Sequence, residues 1–352
     1  MPVFHVKTAQ RCYPAVVERG ALARLPEFLP PKHGKVFVVT EEQVWRLHGA
    51  AVNVPHELLM LAGGEERKRL APLEQLAGEM VQRGGDRSSI VVAFGGGIVT
   101  DMGGFLAAIF MRGVPVIQVP TTLLAQVDAG LGGKTGVNLA CGKNLIGAFH
   151  QPLAVLADPA VLATLPEREY RAGLYEIVKA GIIRVPELFE FLVSRRGAVL
   201  AREPEAVERI IADAVRMKAE VVSADERESD VRRILNFGHT FGHSLEAETG
   251  YARFLHGEAV AFGMQAATHL AARLGLVNAA DAEAIRAAVR AYGPIPTLEG
   301  IAPERLAARL VSDKKTVQGH VHFVLPVRIG EVTVAADVDP AAVLEAIRAA
   351  CA

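Results

Sequence analysis

The segment HTFGH sets His239 and His243 four residues apart, so that in a helix both imidazoles lie on one face. Such spacing can hold a divalent metal, but no Glu follows the first His as in the zinc-protease pattern, and a lone buried histidine is more often structural. The chain also offers His256 and Glu176; spacing alone does not select a ligand set from these four. Arg232, Asn236, His239 and His243 fall at i, i+4, i+7 and i+11, which predicts one polar stripe on a helix otherwise rich in Ile234, Leu235, Phe237 and Phe241. Inside a protein such a stripe is costly unless it is paired or used. Gly238 and Gly242 leave room for a substrate or for a packed helix.

A second chemistry is written at residues 95–97. There Gly95, Gly96 and Gly97 follow the apolar run IVVAF and open into a helix, whose first N–H groups and positive dipole end suit a pyrophosphate. This is not the spaced G-x-G-x-x-G fingerprint, and a tight turn made for packing stands beside phosphate binding as the alternative reading. Lys218 lies on an apolar stripe with Ile211, Ala214, Val215 and Val222, where a lysine either snorkels to water or is used.

These residues need a scaffold. Short apolar runs alternate with helical segments and glycine turns over the first 150 or so residues, the pattern of a largely parallel sheet in an α/β, Rossmann-like nucleotide-binding domain. KVFVVT (35–40), SSIVVAFGGG (88–97) and VPVIQVPTT (114–122) are its clearest buried strands. From about Leu165 the pattern becomes amphipathic helices, Pro166 suiting a first turn, with one alternating stretch at 320–338 that reads as a hairpin. We therefore expect two domains, 1–157 for nucleotide and a mainly α-helical 158–352 for metal and substrate.

In order and spacing, GGGIVTDMGGF, FMRGVPVIQVPTTLLAQVDAGLGGKTGVN, GKNLIGAFHQP, YEIVKAGII, LNFGHTFGHSLE, LHGEAVAFGM and DKKT resemble the dehydroquinate synthase family over nearly the whole chain. The resemblance implies NAD held by Gly95, Gly96, Gly97, Ile98, Val99, Thr100 and Asp101, with Thr121 and Thr122 near the nicotinamide and Glu65, Lys68, Lys134, Lys143 and Thr164 around the cofactor. It implies zinc, replaceable by cobalt, on Glu176, His239 and His256, with His243 an active-site group one turn on. Lys134, Asn144, His243 and one of Lys314 and Lys315 would take the substrate phosphate, Arg232 its carboxylate, and Asp128, Lys179, Lys218 and Asn236 its other polar atoms. Arg112 would reach a neighbouring subunit's site, implying a homodimer.

The implied reaction is that of a lyase: transient oxidation by NAD, elimination of phosphate from a phosphorylated sugar acid, re-reduction and intramolecular aldol closure. A cyclase making an inosose or a valiolone, a metal-dependent polyol dehydrogenase, and an inactive NAD-binding relative are the competing readings. Arg232, Asn236 and His243 together favour a carboxylate-bearing substrate. Two departures bear on loop shape: Thr100 stands where the family often has glycine, and Ala129 and Gly130 where serines are common.

Composition narrows the classes further. A formal charge of −1 over 352 residues argues against a nucleic-acid partner, which would need a surplus of Lys and Arg. Three scattered cysteines, Cys12, Cys141 and Cys351, make no paired metal motif and fit a reducing compartment. With neither a signal-like start nor an apolar span of about twenty residues, the expectation is a cytoplasmic protein without membrane segments.

Overall fold

The computed structural model describes residues 2–312 and 321–352. Lys314 and Lys315 lie outside them. The chain forms two compact units, one of residues Met1–Pro166 with Val207–Arg227 and one of Glu167–Ala206 with Glu228–Ala352.

The first unit carries strands β1 (Val3–Lys7), β2 (Cys12–Val17), β3 (Val36–Thr40), β4 (Glu57–Met60), β5 (Ile90–Gly95), β6 (Val116–Pro120), β7 (Lys134–Leu139), β8 (Gly142–Phe149) and β9 (Val155–Ala157). Its helices are α1 (Glu42–His48), α2 (Leu70–Gln82) and α3 (Gly97–Ile109). Seven strands make one sheet in the order β1-β2-β9-β6-β5-β3-β4, parallel throughout except for the β1–β2 edge hairpin. The runs VFVVT and IVVAFG are buried at every position because the sheet is covered on both faces. Phe37 and Val39 join one core with Leu73, Leu76 and Met80 of α2 and Met102 and Leu106 of α3. Alternating with them, Val36 and Val38 join the opposite core with Leu22, Leu25 and Phe94. In the pairing registers Val38 opposes Val92, and Val92 opposes Ile117. Each large apolar side chain so buried contributes ~1.5–3 kcal/mol.

The next helices are α4 (Glu167–Ile183), α5 (Pro186–Ser194), α6 (Arg196–Leu200) and α7 (Pro204–Ala224), the last returning to the first unit from Val207 onward. The second unit continues through α8 (His239–Glu248), α9 (His256–Arg273), α10 (Ala279–Ala291), α11 (Pro303–Ser312), strands β10 (Phe323–Arg328) and β11 (Glu331–Ala335), and α12 (Pro340–Cys351). The alternation at the end of the chain is the antiparallel β10–β11 hairpin, with a register shift between Pro326 and Arg328.

One local expectation is corrected. Arg232 to His243 do not lie on a single helix: a short 3-10 turn spans Val231–Asn236, and α8 begins only at His239. Gly238 separates them at φ 80°, a left-handed conformation that ends helical propagation. A β-carbon there would meet the Val260 carbonyl and the Met264 side chain at 2.8 Å, so this break is built around contact with α9.

Candidate active site

In the first unit, β5 runs out at Gly95 and α3 begins at Gly97. A β-carbon on Gly95 would stand 2.6 Å from the Val99 side chain, and one on Gly96 would stand 3.1 Å from Thr122. The glycines therefore let chain and helix start fold against each other, presenting first-turn N–H groups that have no carbonyl four residues back. Gly103 and Gly104 let α3 press closer, since β-carbons there would meet Ala93 at 2.8 Å and Thr135 at 2.5 Å. Thr100 is accommodated locally: its hydroxyl donates to the Gly97 carbonyl at 3.0 Å. The Thr121 N–H donates to Gly95 O at 2.9 Å, and Thr122 Oγ1 accepts from Ala125 N at 3.2 Å.

Beside this turn a polar network joins six side chains. Lys68, almost fully buried, pairs with Asp101 and donates to Asn144 Oδ1 at 2.6 Å. Burial pushes the Asp101 carboxyl up, against the downward pull of the Lys68 ammonium. Asn144 sits at φ 52°, its N–H donating to Asn138 Oδ1 at 2.8 Å, and Asn138 Nδ2 donates to Glu65 Oε1 at 2.7 Å. Lys143 lies 3.7 Å from the same Glu65 oxygen. Asn138 was not singled out from sequence, where an asparagine in an alternating strand carries no distinguishing mark. Thr164 lies apart from this network among the described contacts, with its hydroxyl 2.8 Å from His48 Nε2.

Lys134 opens β7 and is exposed, just after Gly132 and Gly133 at φ 91° and 66°. The Gly132 N–H donates to the buried Tyr13 hydroxyl at 3.1 Å, and a β-carbon on Gly133 would strike Gln151 at 2.6 Å. Asp128 belongs to a π-helical turn, Ala125–Ala129, closed by the Gly130 N–H on Ala125 O at 2.9 Å. Glycine suits position 130 because a β-carbon would stand 2.9 Å from that same carbonyl. Lys218 does not snorkel: its ammonium pairs with the Asp128 carboxylate and donates to the Asp128 carbonyl at 2.5 Å. Arg112 occupies an exposed turn in which it and Met111 both adopt positive φ, 70° and 50°.

In the second unit Glu176 and Lys179 are ion-paired one turn apart on α4, both buried. Lys179 takes Glu176 Oε2; Oε1 is buried with no hydrogen-bond partner. That oxygen lies 3.8 Å from His239 Nε2 and 4.0 Å from His256 Nε2, and one ligand atom from each of the three residues falls within 4.8 Å of the other two. An unsatisfied buried carboxylate oxygen is costly, and a divalent cation between it and two imidazole nitrogens would satisfy all three. The residues present fit a zinc-type ion. His243 stands beside them, its ring 5.4 Å from that of His239 and stacked at 6.0 Å on that of His256.

Backbone contacts explain how three distant residues meet. A β-carbon on Gly257 would lie 1.9 Å from the Ala172 carbonyl of α4, one on Gly263 1.8 Å from the Gly238 carbonyl, and one on Gly242 2.8 Å from the Ala259 carbonyl. These glycines pack α4, α8 and α9 closely enough to converge Glu176, His239 and His256, which settles Gly238 and Gly242 as packing residues. Arg232 is buried, and Asn236 Nδ2 donates to Glu228 Oε1 at 2.5 Å. Glu228 and Glu246 were missed from sequence. Glu246 lies three residues after His243 on the helix, a spacing that could have drawn notice; Glu228, in an irregular segment, gave no periodic signal.

Solved structures place this architecture among sugar-phosphate cyclases. A 2-deoxy-scyllo-inosose synthase complexed with carbaglucose-6-phosphate, NAD+ and Co2+ matches with TM-score 0.90 and 27% identity over 99% of each chain. The 2-epi-5-epi-valiolone synthase of Streptomyces hygroscopicus, with NAD+ and Zn2+ bound, matches at 0.88 and 30% over 96% of each. A probable glycerol dehydrogenase from Sinorhizobium meliloti, at 0.68 and 18% over 96% of each chain, shares the fold. Family models for the N-terminal and C-terminal parts of 3-dehydroquinate synthase match residues 58–172 and 173–316. The chain belongs to the 3-dehydroquinate synthase family: it is 66% identical to the 3-dehydroquinate synthase of Solibacter usitatus over 100% of both chains, and 49% identical to that of Koribacter versatilis over 97% of this chain and 96% of the relative. Among the described residues no helix is long and apolar enough to cross a membrane.

Proposed function

We propose that this chain converts 3-deoxy-D-arabino-heptulosonate 7-phosphate to 3-dehydroquinate and inorganic phosphate, as a carbon–oxygen lyase acting in the cytoplasm. The observation that carries the reading is Glu176 Oε1, buried without a partner and aimed between two histidine Nε2 atoms, in a chain two-thirds identical to a named synthase. Glu176, His239 and His256 would hold zinc, and the turn from Gly95 to Asp101 would hold NAD. When bound, NAD supplies transient oxidation of a substrate hydroxyl and the metal supplies a Lewis acid that makes that hydroxyl acidic.

The chain's own groups bind and orient. Lys179 neutralises the second Glu176 oxygen, leaving the first one available as a ligand. Lys134 and Asn144, with His243 and a lysine of the 314–315 pair, would take the phosphate, where added negative charge on departure strengthens their hydrogen bonds. Arg232 would take the carboxylate as a buried guanidinium, and Asn236 a hydroxyl, held in place by Glu228. Asp128 and Lys218 form a pair that would orient a further polar group of the substrate. Arg112, on its exposed turn, would complete the site of a second copy in a homodimer.

The test is incubation of purified protein with the heptulosonate phosphate, NAD and zinc, following phosphate and dehydroquinate together. They should appear in equal amounts with no build-up of reduced nicotinamide. Phosphate without a carbocycle, or reduced nicotinamide accumulating in step with substrate loss, would overturn the reading.

A further inference from the structure

We propose that Glu246 is a positioning residue for His256: its carboxylate accepts the Nδ1 proton of that imidazole and so turns Nε2 toward the metal position. The proposal rests on the metal-site reading of Glu176, His239 and His256. The His256 ring stands between two carboxylates, with Nδ1 3.4 Å from Glu246 Oε1 and Nε2 4.0 Å from Glu176 Oε1. With its proton on Nδ1, the ring keeps a lone pair on Nε2, the nitrogen that faces Glu176. One acceptor thus settles both tautomer and rotation.

His239 presents the same arrangement by other means. Its Nδ1 donates to the Phe237 carbonyl at 3.2 Å, and its Nε2 lies 3.8 Å from Glu176 Oε1. Both imidazoles therefore offer Nε2 to one point and have an acceptor oxygen on the Nδ1 side behind them. For His239 the acceptor comes from the turn before α8; for His256 it comes from the α8 side chain Glu246. Glu246 is 1% exposed, so its carboxylate is held in place by protein groups rather than by water, and His256 Nδ1 is among those within its reach. Because Glu246 and His239 share α8, the helix that supplies one ligand also aims the next, which the packing of Gly242 and Gly263 holds at close range.

His243, Glu246 and His256 also come within 4.8 Å of one another, so Glu246 has a rival role as a direct ligand to a second ion. Ring orientation favours positioning, because the unpartnered carboxylate oxygen sits at Glu176, on the Nε2 side.

The experiment strips full-length protein of metal and titrates it with Co2+ and with Zn2+ against a competing chelator. It compares wild type, Glu246→Gln, Glu246→Ala and His256→Ala, records the visible Co2+ spectrum, and follows thermal unfolding of each metal-free chain. We expect one equivalent bound by wild type and near-complete loss in His256→Ala. Affinity should fall roughly 10- to 100-fold in Glu246→Ala and by less in Glu246→Gln, which keeps an acceptor oxygen. The cobalt spectrum should shift in both, while metal-free Glu246→Gln unfolds as wild type does. Glu246→Gln alone carries the test if the alanine variant does not fold. Unchanged affinity and spectrum in the Glu246 variants, with His256→Ala still defective, would overturn the positioning role and leave the metal site standing. Two equivalents in wild type falling to one in Glu246→Gln would make Glu246 a ligand and overturn it as well. Normal binding by His256→Ala would overturn the metal-site reading itself, and this proposal with it.

Discussion

Gly263 lies so close to the Gly238 carbonyl that a β-carbon at 263 would stand 1.8 Å from the oxygen. Neither partner is the end of a flexible side chain, so α9 and the start of α8 must separate to admit one. Gly263→Ala is expected to lose about 1–3 kcal/mol of stability, as overpacked interiors do, and to bind zinc more weakly because His239 and His256 move apart. Gly78→Ala is the contrast: it lies exposed within α2 with nothing near its β-position, and should gain about 0.5–1 kcal/mol. Denaturant midpoints and metal titrations check both. Equal midpoints for wild type and Gly263→Ala would remove the packing explanation of the metal site.

Chelation should abolish activity, and zinc or cobalt should restore it. Two variants separate metal binding from folding. His256→Ala should lose metal while the metal-free chain keeps close to wild-type stability. Glu176→Ala should lose metal and also strand the buried Lys179 ammonium, costing roughly 3–5 kcal/mol in the metal-free chain. Metal content and urea unfolding of the stripped proteins decide the matter; similar unfolding by both variants would show that the Glu176–Lys179 pair contributes little.

Lys134→Ala should slow phosphate release by about 30- to 1000-fold, the equivalent of roughly 2–4 kcal/mol for one charge-assisted contact that strengthens as phosphate departs. Its side chain is exposed, so the thermal midpoint should move little. Normal turnover, or a rate loss matched by unfolding, would reduce Lys134 to a surface lysine of the β7–β8 hairpin.

His150 gives a pH dependence. Burial holds its imidazole below the ordinary histidine value, outweighing the hydrogen bond it donates to Val114 O at 2.9 Å. Between that depressed folded value and about 6.5, the unfolded chain binds a proton that the folded chain does not. Stability contributed by neutral His150 is therefore full above about pH 6.5 and is lost as pH falls through this window. His150→Gln, still able to donate to the carbonyl, should lose less stability between pH 7 and pH 5 than wild type does. Equal losses in urea unfolding at the two pH values would show that His150 is not the group responsible.

The parallel core could be read directly from VFVVT and IVVAF, because β-branched runs with no polar face fit only strands covered on both sides. The glycine turn was legible as a turn, but three glycines between a buried strand and a helix serve close packing as readily as a phosphate, so its use was carried by resemblance. Motif order carried the chemistry to Glu176, His239 and His256 by resemblance. Periodicity, however, predicted one helix through Arg232 and His243, because a repeat of i and i+4 counts residues without registering a backbone that turns left-handed at Gly238. Nor could local pattern show that Lys218 meets Asp128, that Asn144 joins Lys68, or that Glu246 stands behind His256. A helix's own repeat governs which side chains share its face. Where that face meets a residue from another helix depends on how closely the two backbones can approach, and here that is decided by contacts such as Gly257 against Ala172 and Gly263 against Gly238, between residues far apart in the chain.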